Sequence, residues 1–236
     1  MKQVIILSAI ALFIGCGNQK VAKMEMEVKE EVGTVVVVMA DFKQSYSKDE
    51  IIQLSKAIDP MVDTFEGYLG RKMCFPVDSP SSLVDVVYYT DMDAFQSAAK
   101  KEMQSETCQR FFQTMDSESE QFLIGNPIFI TETQKGTPGI VEMVFFKSEY
   151  SEEELSSAAA AINPKLNSME GFVSRKLVRT EDDLWIDLVY WTALDKAKNA
   201  AKTLMADTTC QKFFSMINGE SMQFMHLEIV IDTEQN

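Results

Sequence analysis

The sequence predicts an α+β protein: two ferredoxin-like βαββαβ domains pairing within one chain as a pseudo-dimeric α+β barrel. Three observations carry this expectation. The chain writes one strand twice, as "LVDVVYYT" from Leu83 and "LWIDLVYWT" from Leu184. Strand-like and helix-like segments follow the same order in both copies. Each copy alone would leave one apolar sheet face bare, at roughly 25 cal/mol per Å², and the second copy is the natural cover.

The repeat extends along both copies. "SYSKDEI" from Ser45 matches "EYSEEEL" from Glu149, Asp59-Pro60 matches Asn163-Pro164, and "EGYLGRK" from Glu66 matches "EGFVSRK" from Glu170. These share an offset of 104, as from Tyr46 to Tyr150. "ETCQRFF" and "TTCQKFF", then "ESEQF" and "ESMQF", share an offset of 102, as from Asp85 to Asp187. Ordered matches with one small gap mark a duplication, with a shorter central turn in the second copy. The first domain spans 34–131 and the second 140–233, joined by the turn-rich "ETQKGTPG".

The second copy gives the elements. "IVEMVFF" is β-branched and aromatic, hence a strand. Ser151 with Glu154 is a capping box that opens a helix, as Ser47 with Glu50 does earlier. Pro164 and Pro60 should kink or restart that helix near its end, and the glycine of "EG" should stop it. "FVSRKLVR" and "LWIDLVYW" form a hairpin around "TEDD". "TALD" and "TDMD" begin a second helix, whose apolar face uses Ala197, Ala200, Ala201, Leu204 and Met205. A short helix, "CQKFFSMI", and a strand, "MQFMHLEIVI", complete the unit.

Composition excludes some functions. Of 236 residues, 46% are hydrophobic, and the net charge of -14 disfavours contact with nucleic-acid backbones. The first sixteen residues, "MKQVIILSAIALFIGC", carry a lysine, an apolar run and a terminal Gly-Cys. The run is too short to span a bilayer, which takes roughly 20 apolar residues, and suits a signal peptide. It resembles a bacterial lipoprotein signal, which implies lipidation at Cys16, a polar tether over 17–33, and a membrane-anchored protein on the periplasmic side of the envelope. Cys74, Cys108 and Cys210 match no metal spacing and read as small buried hydrophobes. The fifteen methionines are scattered and read as core filling, so no metal is expected.

The GF-x-x-R strand, the W-x-D-x-V-x-W strand, the C-x-x-FF helix and the closing M-x-H strand resemble the antibiotic biosynthesis monooxygenase-like domains of the dimeric α+β barrel superfamily. The resemblance covers Ile140–Val230 well and Val35–Ile130 more weakly. It implies that one chain carries both halves of a dimer. Family members include cofactor-free oxygenases, haem-degrading enzymes and domains without known activity, so the fold alone implies no reaction.

Side-chain alternation divides the strands. Leu184, Ile186, Leu188 and Tyr190 form the more aliphatic face and are expected under the helices. So are Met225, Leu227, Ile229 and Ile231. Trp185, Asp187, Val189 and Trp191 are then expected inside, with Phe224, His226, Glu228 and Val230. Arg175 joins them as a charge-assisted partner for Asp187, as Arg71 does for Asp85. His226 is the single histidine, and Ile124 replaces it in the first copy. A function confined to one half therefore falls to the second. The expected ligand is small, apolar or aromatic, bound in the second domain's barrel pocket without a permanent cofactor. The alternatives are a cofactor-independent monooxygenase with His226 as base, haem degradation, and a non-catalytic structural or interaction protein.

Overall fold

Two glycines with positive φ, Gly67 at 75° and Gly171 at 83°, separate each helix pair from the hairpin that follows it. The structure, a computed structural model, describes residues 31–79, 81–131 and 133–234. The leader over 1–16 with Cys16, and all of the tether except residues 31–33, lie outside the described residues. The first half runs β1 (Thr34–Asp41), α1 (Lys48–Lys56), α2 (Asp59–Val62), β2 (Tyr68–Pro76), β3 (Ser82–Tyr89), α3 (Met92–Glu102), α4 (Glu106–Phe112) and β4 (Gln121–Ile130). The second repeats this order as β5 (Ile140–Phe146), α5 (Glu152–Ala160), α6 (Asn163–Asn167), β6 (Phe172–Thr180), β7 (Trp185–Trp191), α7 (Leu194–Met205), α8 (Thr208–Phe214) and β8 (Gln223–Asp232).

Local signals set these elements. Both capping boxes form, with Ser47 and Ser151 accepting from the N–H groups of Glu50 and Glu154. The prolines restart the chain as short helices, sitting in the first turn of α2 and α6 where no N–H is needed. The starts of α3 and α7 fall one residue later than expected: Asp91 caps α3 through the Ala94 N–H, and Ala193 leaves α7 without a side-chain cap. On α7, Ala197, Ala200 and Leu204 are buried, whereas Met205 is 71% exposed.

The eight strands close into one antiparallel barrel in the order β1-β3-β2-β8-β5-β7-β6-β4. Each half contributes a four-strand run, β4-β1-β3-β2 and β8-β5-β7-β6. The halves join edge to edge, through β2 with β8 and β4 with β6. The expected barrel thus closes through two edge seams. Closure satisfies the edge N–H and C=O groups that two separate sheets would leave unpaired. Both seams carry an irregularity at matching places, opposite Met73/Cys74 and at Pro127/Phe129.

The predicted faces are reversed. Val141, Met143, Phe145, Ile186, Leu188, Tyr190 and Leu227 pack in the lumen against Val35, Val37, Val84, Val86 and Tyr88 of the first half. Trp185, Val189 and Trp191 pack outward, under Leu155, Ala158, Ala159, Ala197, Ala200 and Phe213. Both faces are buried, so relative hydrophobicity could not assign them. Volume did. Eight strands converge on a narrow lumen that favours aliphatic side chains, while alanine-faced α5 and α7 leave room outside for indoles. Ile231 lies outside despite the lumenal Ile229, because the irregularity in β8 shifts the alternation.

Candidate functional site

Arg175 on β6 and Asp187 on β7 sit on the helix-facing side of the sheet. Nε and Nη2 of Arg175 donate to the two carboxylate oxygens, both at 2.7 Å. Nη1 donates to the Ala159 carbonyl at 2.8 Å and to Asn163 Oδ1 at 2.9 Å. The guanidinium also lies over the rings of Phe129 and Phe213, 5.4 Å from each centroid. One side chain thus joins two strands to the junction of α5 and α6. Arg71 does the same in the first half, donating to Asp85 at 2.7 Å, to Asp59 at 2.7 Å and to the Ser55 carbonyl at 2.9 Å. A fully engaged, buried arginine is a clamp that orients the helices.

The other predicted residues divide. Trp185 stacks on Phe146 at 6.4 Å and carries Arg179 over its ring, so it is core. Phe224 is 49% exposed. His226 also faces outward, with Phe224 edge-on at 4.8 Å. Trp185, Asp187, Trp191, Arg175, Phe224 and His226 therefore do not converge on a barrel pocket. That part of the expectation is corrected by the same reversal of faces.

A different grouping emerges around His226. Glu142 on β5 lies directly across from it, and His226 Nε2 stands 3.3 Å from Glu142 Oε2. Trp191 lies one diagonal step away on the same face, opposite Ile140 on β5. Glu142 Oε2, His226 Nε2 and Trp191 Nε1 are all buried and have no hydrogen-bond partner among the described residues. Buried polar atoms are normally satisfied, yet Glu142 Oε2 and His226 Nε2 have only each other, at 3.3 Å and without a hydrogen bond, and the nearby Trp191 Nε1 has none. Chemically they are one acceptor, one donor and one imidazole nitrogen able to serve as either. Phe224 and Glu228, on either side of His226 on this face, are exposed, which sets the histidine beside solvent.

The first half shows what the same place becomes without these groups. Val36 and Ile124 stand where Glu142 and His226 do, and Tyr89 where Trp191 does. Phe95, at the α3 position of Ala197 on α7, packs 5.6 Å from Tyr89 and completes an apolar cluster. The second half loses that ring and gains the His226–Glu142 pair and the Trp191 N–H, three buried polar atoms without a hydrogen bond. Glu142 was missed in the sequence because "IVEMVFF" reads as an ordinary strand. Its register opposite the single histidine was the available signal. A separate open depression of about 400 Å³ on the surface, lined by residues including Tyr150, Glu153, Lys212 and Met216, involves none of these groups. No group of three or more His, Cys, Asp or Glu residues able to hold a metal occurs among the described residues. Cys74, Cys108 and Cys210 are free and buried.

No family model and no curated protein matches the chain. Solved structures do. A provisionally assigned monooxygenase from Lactobacillus acidophilus NCFM superposes with a TM-score of 0.66 at 11% identity, over 86% of this chain and 97% of its own. One from Fusobacterium nucleatum gives 0.63 at 12% identity, over 87% and 99%. A mutant chlorite dismutase from Candidatus Nitrospira defluvii gives 0.56 at 10% identity, over 84% and 92%. At these identities the likeness establishes the fold, a closed antiparallel α+β barrel with helices outside, which hosts different chemistries.

Proposed function

We propose that the second half binds a small aromatic compound bearing a hydroxyl group, between the sheet and α7, with His226, Glu142 and Trp191 as its polar contacts. The observation that carries this reading is a set of three buried polar atoms without hydrogen bonds, two of them facing each other at 3.3 Å, where the first half is closed and apolar. A hydroxyl both donates and accepts, which suits one carboxylate oxygen, one indole N–H and one imidazole. The aromatic surroundings, Trp191 with Phe172 at 5.7 Å, favour a flat ligand. The test uses phenols and naphthols with thermal shift and the fluorescence of the two tryptophans. Saturable shifts that disappear in His226→Ile support the reading, and a flat response across the library ends it.

The His226–Glu142 pair favours a second reading on the same site. An imidazole beside a carboxylate is a suitable base for a phenolic proton, and cofactor-independent oxygenation begins by generating such an electron-rich anion. The provisionally assigned monooxygenases among the structural neighbours fit this reading loosely. It predicts oxygen consumption with a bound phenol, lost in His226→Ala. Binding without turnover would leave a binding protein.

We further propose export and anchoring through a lipid on Cys16, supported by the leader sequence. Membrane fractionation of the full chain against Cys16→Ser tests it. A wild-type protein recovered entirely in the aqueous phase would overturn it.

A further inference from the structure

The barrel lumen is apolar except near one mouth, where two lysines point inward. Lys72 on β2 and Lys176 on β6 occupy equivalent places in the two copies, and their side chains are only 3% and 4% exposed. Beneath them the Tyr88 and Tyr190 hydroxyls bond to each other across the two halves. Lys176 Nζ lies 4.6 and 4.7 Å from the centroids of those two rings, and Lys72 Nζ lies 5.6 Å from that of Tyr190. Two ammonium groups in so dry a place require counter-charge.

That charge comes largely from beyond the sheet. One Glu234 oxygen meets Lys176 at 2.8 Å and the other meets Lys72 at 3.1 Å, while Asp232, at the end of β8, meets Lys72 at 2.6 Å. The segment is fastened by Thr233, whose N–H donates to the Arg71 carbonyl and whose hydroxyl accepts from the Arg71 N–H. Burial pushes the Lys176 ammonium below its usual range, opposed by Glu234; burial pushes the Glu234 carboxyl up, and the two lysines together outweigh it and hold that carboxyl below its usual range. The lysines and tyrosines belong to the duplicated wall, whereas Glu234 reaches in from outside the strand ladder.

We propose that Lys72 and Lys176, set over the rings of the Tyr88–Tyr190 pair, form an anion site at the barrel mouth that takes one bridging carboxylate, filled by the chain's own Glu234, with Asp232 on Lys72 beside it. While that side chain is in place the site is filled, and an external carboxylate enters when it is removed. The site is independent of the His226 region, since it lies on the opposite face of the sheet.

The test removes the internal ligand from the full chain with Glu234→Ala and follows thermal unfolding in sodium acetate against sodium chloride at matched ionic strength. The variant should melt below wild type. At about 100 mM, acetate should raise its Tm by roughly 2–4 °C more than chloride, saturably, with wild type unresponsive. Lys72→Met and Lys176→Met on that background should abolish the response. Equal shifts in acetate and chloride, or the same acetate shift in wild type, would overturn the proposal. Should Glu234→Ala not fold, Glu234→Gln keeps the side-chain shape and is held to the same two criteria.

Discussion

The two halves share a backbone plan and differ in what lies beneath their second long helix. Under α3 the space is closed by Val36, Tyr89, Phe95 and Ile124. Under α7 the corresponding places hold Glu142, Trp191, Ala197 and His226, with the His226–Glu142 pair and the Trp191 N–H making no hydrogen bond. Duplication with divergence explains the contrast physically. The closed barrel needs both halves for its edges, so the first can supply stability through packing. At this one place the second can then carry polar groups that cost stability, a pattern typical of functional sites, while the first half bears its own unsatisfied atoms elsewhere, on Thr34, Ser55 and Asp85.

The largest effects should come from breaking what the halves share. Arg175→Ala strands the buried Asp187 and releases the junction of α5 and α6, at about 3–5 kcal/mol. Arg71→Ala strands two carboxylates, Asp59 and Asp85, and should cost at least as much. Denaturant titration of each variant measures both. A loss below about 1 kcal/mol in either would remove the clamp from the account of the fold.

Exchanging the helix residue should be next in size. Ala197→Phe gives the second half the first half's ring at a fully buried position, costing about 1–3 kcal/mol from overpacking. It should also eliminate phenol binding. Binding retained in a folded Ala197→Phe protein would move the ligand away from α7.

Glu102 sharpens the comparison further, because Leu204 stands at its place in the second half. Burial, then the neighbouring Asp85 charge, raises the Glu102 carboxyl above its ordinary value. The folded state thus binds this proton more tightly than the unfolded chain does. Its stabilising contribution is complete below the unfolded carboxyl's ordinary range and is lost as pH rises through the folded value. Glu102→Gln should therefore stabilise by about 1 kcal/mol at pH 7.5, with the gain shrinking toward pH 4. Unfolding midpoints at several pH values check the slope, and a gain independent of pH would assign the effect to packing.

The smallest effect on stability should come from converting the site itself. Glu142→Val with His226→Ile copies the first half and replaces both members of a pair that makes no hydrogen bond with apolar side chains. The change should be neutral or stabilising by up to about 1 kcal/mol. Ligand response should vanish while the protein becomes no weaker. A clear destabilisation would mean that Glu142 and His226 are structural partners.

Much of the framework was legible in the residues. The repeat, the capping boxes, the prolines that restart α2 and α6, and the Arg–Asp partnership follow from local chemistry and spacing. The strand faces did not, because alternation says which side chains share a face and never which face is inside. Where helices cover one side and the partner sheet encloses the other, both are apolar.

Periodicity, caps and turn residues act over a few neighbours, so the residues alone reveal a duplicated α+β chain. That the halves meet at their edges is a property of the folded barrel, since closure satisfies the strand edges and no local signal encodes the partner. Closure also brought Glu142 beside His226 and Glu234 between Lys72 and Lys176. Those pairs are up to about 160 residues apart in the chain, and only barrel register makes them neighbours.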